Sequence, residues 1–394
     1  MPGSVILGGA RTPIGKLSGA LADCSAMDLG GVAIAAALER CGVGPEAVDY
    51  VFMGQVLQAG QGQITARQAA VKGGISLSVP ATTVNKVCLS GLNSIFLADL
   101  LIGAGAAEVV VAGGMESMTR APYLLPEARS GYRLGDGTLV DSMMHDGLYC
   151  QFDHCAMGLS TERYNAEAGI SRADQDAFAA QSHERAAAAI KDGRLAEEIV
   201  AVPVPQRKGD PIVVDTDEGV RPGTTAESLG GLRPAFDREG TVTAGNASQI
   251  SDGAAAVIVT SRAKAEDLGV TPLGEVVGYG QVAGPDASLL VQPANAIGRA
   301  LDAAGMALGQ VDLFEINEAF AVVGLASMAE LGITSEVTNV NGGAIALGHP
   351  IGMSGTRLAL TLLHELERRG GGVGAAALCG GGGQGDALLL RTPA

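Results

Sequence analysis

The stretch Val84–Leu92, with the sequence VNKVCLSGL, leads from an apolar strand through a sharp turn into a helix. Ser90–Gly91 opens that helix, which runs on to an apolar strand with the sequence VVVAGG at Val109–Gly114. The same order recurs near the other end of the chain, where Ser354–Gly355 opens a helix that leads to an apolar strand at Val373–Leu378. Because one pattern of turn, helix and strand occurs twice, the sequence predicts two similar halves.

Shorter apolar runs alternate with helical patterns elsewhere in the chain. Residues 4–9 and Val48–Val56 are typical of buried strands, and apolar residues recur at helical spacing from Met27 to Glu39. Such alternation of strands and helices is typical of an α/β protein and predicts a mostly parallel sheet.

The middle of the chain, from about Arg120 to Glu239, is more polar than the rest. One clear helix is predicted there from Ser171 to Asp192, because serine is a favoured N-cap residue and alanines follow at helical spacing. We interpret this segment as an excursion between sheet domains, where loops carry specificity.

Composition excludes several classes of protein. The 394 residues include 26 basic and 42 acidic side chains, so the formal net charge is −16, and 47% of the residues are hydrophobic. A disordered chain lacks that much apolar surface, and a nucleic-acid-binding protein usually presents a basic face. No apolar run approaches the roughly 18 residues of a membrane span, and the first residues lack the basic segment of a secretion signal. The sequence therefore predicts a cytoplasmic globular enzyme with neither a nucleic-acid nor a membrane partner.

The six cysteines are predicted to be reduced thiols, since the cytosol does not favour disulfides. Cys24 and Cys41 are interpreted as buried apolar residues. Four potential metal ligands cluster in the sequence: His145, Cys150, His154 and Cys155. They contain no Cys-x-x-Cys pair, and two adjacent residues converge poorly on one ion, so no metal site is predicted.

Cys88 is the strongest candidate for a nucleophile. It lies where the helix after Val84 begins, and unpaired N–H groups at a helix N-terminus lower the pKa of a thiol. The backbone N–H of Cys88 is also placed to stabilise a developing oxyanion.

His349 is the histidine best suited to act as a general base. Gly348 and Pro350 restrict its backbone, and a fixed imidazole is what proton transfer requires. His183 and His364 lie in helical patterns and are predicted to lie on solvated helix faces.

Two further segments carry potential chemistry. Cys379–Gly385, with the sequence CGGGGQG, follows an apolar strand, and its glycines would let a substrate approach free backbone N–H groups. Asn317–Ala321, with the sequence NEAFA, also ends a strand, and its Asn and Glu could orient a water or a histidine. Neither the segment at Cys379–Gly385 nor Ala10–Leu17 completes a nucleotide-binding motif.

Taken together, these segments resemble the thiolase family over nearly the whole chain, and within it the acetyl-CoA C-acetyltransferases. The matching segments stand in the family's order: Gly9–Pro13, Asn85–Leu92, Gly113–Met118, Thr241–Ser248, Asp252–Ala255, Asn317–Ala321, Gly342–Gly355 and Cys379–Gly385.

The resemblance implies catalytic roles. Cys88 is similar to the nucleophile that carries the acyl group, His349 to the base that activates it, and Cys379 to a second acid/base. Asn317 resembles the residue that holds a water which, with His349, binds the thioester oxygen. The N–H groups of Cys88 and Gly381 match a second oxyanion hole.

The resemblance also implies contacts to coenzyme A. Ser248 resembles the residue at the pantetheine arm and Arg221 one near the adenine nucleotide, while Met157 and Ala244 match other substrate-binding positions. One departure affects this pocket: biosynthetic members often carry His where this chain has Ala156.

The fold implied by the resemblance is α/β, with two similar five-stranded mixed-sheet domains in layers and an inserted loop domain. Residues 1–119, completed by 250–270, would form the first half and residues 271–394 the second. Residues 120–249 would form the loop domain that covers coenzyme A and carries the tetramerisation loop, so a homotetramer built as a dimer of dimers is expected.

The implied activity is the ping-pong Claisen condensation of two acetyl-CoA to acetoacetyl-CoA and CoA, and the reverse thiolysis, through an acetyl-cysteine. Coenzyme A is then a substrate and product, and no cofactor is expected. Three alternatives remain: a 3-ketoacyl-CoA thiolase of broader range in fatty-acid metabolism, a decarboxylating ketoacyl synthase, and a non-catalytic acyl-CoA-binding relative. The synthase usually needs a second histidine, and the sequence offers none in a matching glycine-flanked turn.

Overall fold

The computed structural model describes residues 3–393. Its strands are β1 (Val5–Arg11), β2 (Gly15–Lys16), β3 (Tyr50–Gly54), β4 (Ala81–Val84), β5 (Val109–Ser117), β6 (Tyr123–Leu124), β7 (Val140–Asp141), β8 (Tyr149–Cys150), β9 (Cys155–Ala156), β10 (Val202–Val204), β11 (Ile212–Val214), β12 (Ser251–Thr260), β13 (Gly274–Ala283), β14 (Leu313–Ile316), β15 (Gly372–Gly380) and β16 (Gln384–Thr392).

The α-helices lie between these strands along the chain. They are α1 (Ala26–Cys41), α2 (Thr65–Lys72), α3 (Ser90–Gly103), α4 (Met157–Ala168), α5 (Arg172–Lys191), α6 (Ala226–Gly230), α7 (Arg262–Leu268), α8 (Gln292–Ala304), α9 (Ala321–Leu331), α10 (Ala344–Leu347) and α11 (Ser354–Arg368). The helix predicted after Ser171 is α5, and the hydroxyl of Ser171 accepts a hydrogen bond from the N–H of Asp174, as an N-cap does. No helix within residues 3–393 is both long and apolar enough to cross a membrane.

One sheet joins the two halves of the chain in the order β14-β15-β16-β13-β1-β12-β5-β3-β4. The pairs β3–β4, β3–β5 and β14–β15 are parallel, whereas β12 and β13 pair antiparallel with each of their neighbours on this path. The expectation of a mostly parallel sheet is therefore wrong, and the sheet is mixed. One cause is the tight turn between β15 and β16, since a short turn reverses the chain and leaves the two strands antiparallel.

The predicted repeat is visible in the sheet. Helix α3 precedes β5, which lies between a parallel neighbour, β3, and an antiparallel one, β12. Helix α11 precedes β15, which has the same two kinds of neighbour in β14 and β16. The first half has the five strands expected on this path, and the two-residue strand β2 pairs with β12 beside them. Within the described residues the second half has four, and an isolated parallel bridge between Phe314 and Thr338 lies beside β14 where a fifth would be.

Helices α3 and α11 lie between the two halves. Leu92 of α3 and Leu358 of α11 belong to one buried cluster with Val110 of the first half and Leu388 of the second. Helices α1 and α2 cover the other face of the first half, and α8 packs on the second half. The central pair matters for the site because Cys88 lies in the turn just before α3, which begins at Ser90, and His349 lies in the loop that leads into α11, which begins at Ser354.

Candidate active site

The turn that carries Cys88 is held in place from both sides. Val87 adopts a left-handed backbone conformation (φ 50°), which is costly for a β-branched residue and needs support from its surroundings. The N–H of Lys86 donates to the hydroxyl of Ser90 at 2.8 Å, and the Lys86 ammonium pairs with the buried carboxylate of Asp386 at 2.7 Å. These contacts tie the turn that carries Cys88, which we call the nucleophile turn, to the start of α3 and to β16 of the second half.

The N-termini of the two central helices are in direct contact. A Cβ built on Gly91 would lie 2.9 Å from the carbonyl oxygen of Gly352 and from the N–H nitrogen of Thr356. Glycine is therefore required where α3 meets the start of α11. This approach brings the loop of His349 beside the turn of Cys88, and Ile351 shares an apolar cluster with Cys88.

Cys379 approaches Cys88 from the end of β15. A Cβ on Gly380 would lie 2.6 Å from Cγ of Leu89, which shows how closely the end of β15 passes the nucleophile turn. The charge of a Cys88 thiolate also helps to raise the pKa of Cys379, which is fully buried. The two thiols, distant in the sequence, are therefore close enough in the fold to interact electrostatically.

Three hydrogen bonds fix His349. Its backbone N–H donates to the backbone carbonyl of Gln249 at 3.1 Å, and its ring Nδ1 lies 2.6 Å from the hydroxyl of Ser354. That hydroxyl donates its one proton to the carbonyl of Pro350 at 2.9 Å, so it must accept from Nδ1–H. The proton-free Nε2 then faces the side-chain amide of Asn317 at 3.4 Å.

Burial sets the resting protonation states. It raises the pKa of Cys88 to about 12, with a contribution from the carboxylate of Glu116, so the expectation of a thiol pKa lowered by the helix terminus is wrong. Burial and the charge of Arg357 lower the pKa of His349 to about 3. The unliganded site thus holds a neutral thiol and a neutral imidazole, and the thiolate must be generated by proton transfer.

Glu116, which sequence reasoning did not single out, organises the loops around the nucleophile. Its buried carboxylate accepts hydrogen bonds from the N–H groups of Val56, Leu57 and Gly352 at 3.0–3.1 Å. Burial raises the pKa of Glu116 to about 7 although these donors oppose the shift. It therefore links the segment after β3 to the loop that follows His349.

The oxyanion donors proposed from the resemblance are free of backbone hydrogen bonds within the described residues. Neither the N–H of Cys88 nor that of Gly381 donates to another backbone carbonyl there. Gly381 lines a cavity of about 640 Å³ together with Val87 and Met157.

A second cavity, of about 470 Å³, contains all four substrate-binding candidates. Met157, Arg221, Ala244 and Ser248 line it, and so does His349. We call it the His349 cavity. Cys88 and Cys379 lie behind its wall: Met118 and Ile351 of the wall cluster with Cys88, and Met157 and Phe320 pack in the cluster of Cys379. Asn317 is buried next to His349, with its amide 3.4 Å from Nε2.

The two fully charged side chains on the wall of the His349 cavity are both cations, Lys16 and Arg221. The rest of the wall is mostly apolar and includes Phe236 and Phe320. In a chain of net charge −16, a cavity with cations and an apolar interior suits a long ligand that is anionic at one end. Lys16, Phe236 and Phe320 were not predicted as cavity residues. Lys16 and Phe320 lie in segments that the sequence analysis considered for other reasons, whereas nothing in the local sequence marks Phe236.

Other sequence predictions have mixed outcomes. Cys24 and Cys41 are buried, as predicted. Within the described residues no group of His, Cys, Asp and Glu is arranged to hold a metal ion. His183 was predicted to lie on a solvated face, and this is wrong: it is 3% exposed, and its Nδ1 accepts a hydrogen bond from the N–H of Arg221. His364 is also mostly covered, with a side-chain exposure of 17%.

Comparison with known families agrees with this fold. Residues 4–263 match the family described as Thiolase, N-terminal domain, and residues 270–392 match Thiolase, C-terminal domain. The chain belongs to the thiolase family.

Individual relatives are similar over their full length. A probable acetyl-CoA acetyltransferase of Mycolicibacterium smegmatis is 59% identical, over 98% of this chain and 100% of that protein. The acetyl-CoA acetyltransferase of Cupriavidus necator is 53% identical, over 98% of each chain. The crystal structure of the Bacillus anthracis acetyl-CoA acetyltransferase superposes with a TM-score of 0.96 at 40% identity, covering 100% of this chain and 99% of that one.

Proposed function

We propose that this thiolase is an acetyl-CoA acetyltransferase, which joins two acetyl-CoA to acetoacetyl-CoA and CoA and also catalyses the reverse thiolysis. One observation carries the proposal: a nucleophile turn, a second thiol and a neutral imidazole converge at a cavity that has cations and an apolar wall. The names and the full-length similarity of the relatives from Mycolicibacterium smegmatis and Cupriavidus necator support the choice of acetyl-CoA.

In the first half-reaction His349 takes the proton of the Cys88 thiol through Nε2. The thiolate attacks the acetyl carbonyl, the C–S bond of acetyl-CoA breaks, and the departing CoA thiolate takes the proton of Cys379. The products are acetyl-Cys88, free CoA, an imidazolium and a Cys379 thiolate. The N–H groups of Cys88 and Gly381, which donate to no backbone carbonyl within the described residues, are proposed to stabilise the oxyanion that forms on the acetyl group.

In the second half-reaction the Cys379 thiolate removes a proton from the methyl group of a second acetyl-CoA. The high pKa that burial gives Cys379 makes its thiolate a strong base, which a weak carbon acid requires. The carbanion attacks acetyl-Cys88, a C–C bond forms, and the Cys88 thiolate leaves with the proton from His349. Asn317, beside Nε2, is proposed to help bind the thioester oxygen of the second substrate.

The coenzyme A moiety is proposed to occupy the His349 cavity. Lys16 and Arg221 fit its phosphates, and the apolar wall fits the pantetheine arm. Ser248 is held for such a contact because its N–H donates to the carbonyl of Ala319 at 3.0 Å, next to the Asn317 turn. No cofactor is proposed, since thioester exchange and proton transfer balance without electron transfer.

The assembly and cellular context are also proposals. A cytoplasmic homotetramer acting in lipid metabolism is expected, with residues 120–249 as the loop domain over coenzyme A. Two observations support this division: Met157, Arg221, Ala244 and Ser248 line the cavity, and β12, which follows this segment, completes the sheet of the first half. A light-scattering mass of four chains would support the tetramer, and a mass of one or two chains would contradict it.

Acyl-chain length is the main alternative within the family. Ala156 lines the His349 cavity, so a small side chain stands where biosynthetic members often carry His. Comparing kcat/KM for acetoacetyl-CoA and 3-ketohexanoyl-CoA separates a narrow enzyme from a 3-ketoacyl-CoA thiolase of broader range.

The catalytic proposal is tested by incubating the protein with acetyl-CoA and measuring intact mass. We expect one acetyl adduct on Cys88 and none in C88A. In C379S we expect the adduct to accumulate without acetoacetyl-CoA, because the second half-reaction lacks its base. A wild-type protein that acquires no adduct would contradict the enzyme proposal and favour an acyl-CoA-binding relative.

A further inference from the structure

His183 contacts the segment that supplies a cation to the mouth of the His349 cavity. It lies on α5, is 3% exposed, and its Nδ1 accepts a hydrogen bond of 3.2 Å from the backbone N–H of Arg221. Arg221 itself is exposed and lines the cavity. The imidazole is thus covered, whereas Arg221, whose backbone it binds, is exposed at the cavity.

Helix α5 is a rigid base for this contact. The hydroxyl of Ser182 donates to the buried carboxylate of Glu318 at 2.6 Å and accepts from the N–H of Gly343 at 3.1 Å. Arg185 donates to the carbonyl of Thr338 at 2.7 Å. The residues on either side of His183 are therefore anchored to the second half, close to the loop of His349.

The segment before Arg221 is held at several points. The carboxylate of Asp217 accepts two hydrogen bonds from the fully buried Arg11, at 2.7 and 2.9 Å, and Gln249 donates to the carbonyl of Gly219 at 3.0 Å. At Arg221 itself, His183 binds the N–H and the hydroxyl of Thr224 donates to the carbonyl at 2.8 Å. His183 is thus the side chain that holds the backbone N–H of Arg221, which lines the cavity.

The contact requires a defined tautomer. An Nδ1 that accepts from a backbone N–H carries no proton, so the proton of the neutral ring is on Nε2. Burial and the neighbouring Arg221 charge lower the pKa of His183 to about 4, so the ring stays neutral at pH 7.

We propose that His183 is a positioning residue for coenzyme A: its Nδ1 fixes the backbone of Arg221, so that the guanidinium is held ready for the phosphate-bearing end of the ligand. This inference rests on the proposed function, because it takes the ligand of the His349 cavity to be coenzyme A. It assigns His183 no contact with the reacting atoms.

Two polar variants of similar size separate this role from a general need for a buried polar ring. In H183N the amide can place its oxygen where Nδ1 lies, whereas in H183Q the amide lies near the position of Nε2. H183L removes the acceptor completely, and R221A removes the guanidinium. Each variant is assayed for thiolysis with CoA and with pantetheine, which lacks the nucleotide and its phosphates.

With CoA, we expect H183Q and H183L to raise KM by about 5- to 20-fold, the cost of roughly one hydrogen bond, and to lower kcat much less. H183N should stay within about threefold of the wild-type KM, because it can retain the acceptor. With pantetheine the ratio of variant to wild-type KM should fall toward one. In the double variant H183L/R221A the two effects should not add, since both act through one guanidinium.

Each other outcome is decisive. Equal losses with CoA and pantetheine would show that His183 has a general structural role and would overturn the proposal. A wild-type KM for CoA in H183Q would also overturn it, because it would show that an acceptor at the position of Nδ1 is not needed. If H183L does not fold, the comparison of H183N with H183Q gives the result. A failure of the proposed function is distinguished from these outcomes, because the wild-type protein would then form no acetyl-Cys88 and turn over neither thiol.

Discussion

The two ring nitrogens of His349 have different partners, and this difference defines the direction of proton transfer. Nδ1–H is held by the Ser354 hydroxyl, which is in turn held by the carbonyl of Pro350. Nε2 is left as the acceptor, facing Asn317. In the proposed reaction this free Nε2 takes one proton from Cys88 and returns it, and the pKa of about 3 keeps the ring neutral beforehand.

Ser354 should consequently contribute to catalysis without touching the substrate. In S354A either tautomer of His349 can form and the ring can rotate, so we expect kcat to fall by about 10- to 100-fold with little change in KM. Alkylation of Cys88 by iodoacetamide at pH 7, followed by intact mass, should slow by a similar factor, because it depends on the same proton transfer.

The matched control for this prediction is S354T, which retains a hydroxyl. It should recover most of both rates, within about fivefold of the wild type if only the added methyl group is felt. Normal Cys88 alkylation in S354A would show that Ser354 does not orient the base.

At the scale of elements, the crossing of α3 and α11 creates the site. Each helix begins directly after a turn that carries a catalytic candidate, and the two N-termini meet at Gly91 and Gly352. The ion pair between Lys86 and Asp386 adds a second link between the nucleophile turn and the other half. The positions of Cys88 and His349 therefore depend on how closely the helices approach.

Two glycine substitutions test this dependence. G91A places a Cβ 2.9 Å from backbone atoms of the α11 start, which cannot rotate away, so we expect a lower free energy of unfolding and a large loss of kcat. Overpacking of this kind costs about 1–3 kcal/mol. In G298A, within α8, no heavy atom lies within 4 Å of the new Cβ. That variant should be more stable by about 0.5–1 kcal/mol, because alanine loses less backbone entropy.

Urea unfolding and steady-state kinetics check both variants. If G91A were as stable and as active as G298A, the close approach of the two helices would not be needed for the site.

At the scale of the whole molecule, buried histidines link stability to pH. The pKa of His183 is lowered to about 4 and that of His349 to about 3, against an ordinary value of 6.5. Between pH 6.5 and 4 the unfolded chain binds protons at these positions and the folded chain does not, so their contribution to stability is lost as pH falls. Glu116, whose pKa is raised to about 7, acts in the opposite sense, because the folded chain holds its proton where the unfolded chain has released it.

The contribution of one histidine can be isolated by substitution. H183N keeps an acceptor for Arg221 but does not titrate, so its urea midpoint should fall less than that of the wild type between pH 7 and pH 5. The difference in slope should be at most about 1.4 kcal/mol per pH unit. Identical slopes in H183N and the wild type would show that His183 takes up protons equally in both states.

The sequence alone determined the local structural features of this protein, and it also indicated the family to which the protein belongs. Apolar runs, glycine turns and the capping of α5 are short-range features, since propensity and hydrogen bonding within a few residues specify them. The repeated pattern predicted two similar halves, and the segments around Cys88, His349 and Cys379 were enough to indicate the chemistry. These segments are local because each is a turn at the end of a strand or the start of a helix.

The tertiary structure decided what depends on contacts between distant residues. The mixed sheet, the burial that raises the pKa of Cys88, the cations at the His349 cavity and the contact of His183 with Arg221 all join parts of the chain that packing brings together. A helical pattern showed that His183 belonged to a helix but not which neighbour covered its face. Solvation and hydrogen-bond partners are properties of the packed molecule, and the protonation states on which the proposed reaction depends follow from them.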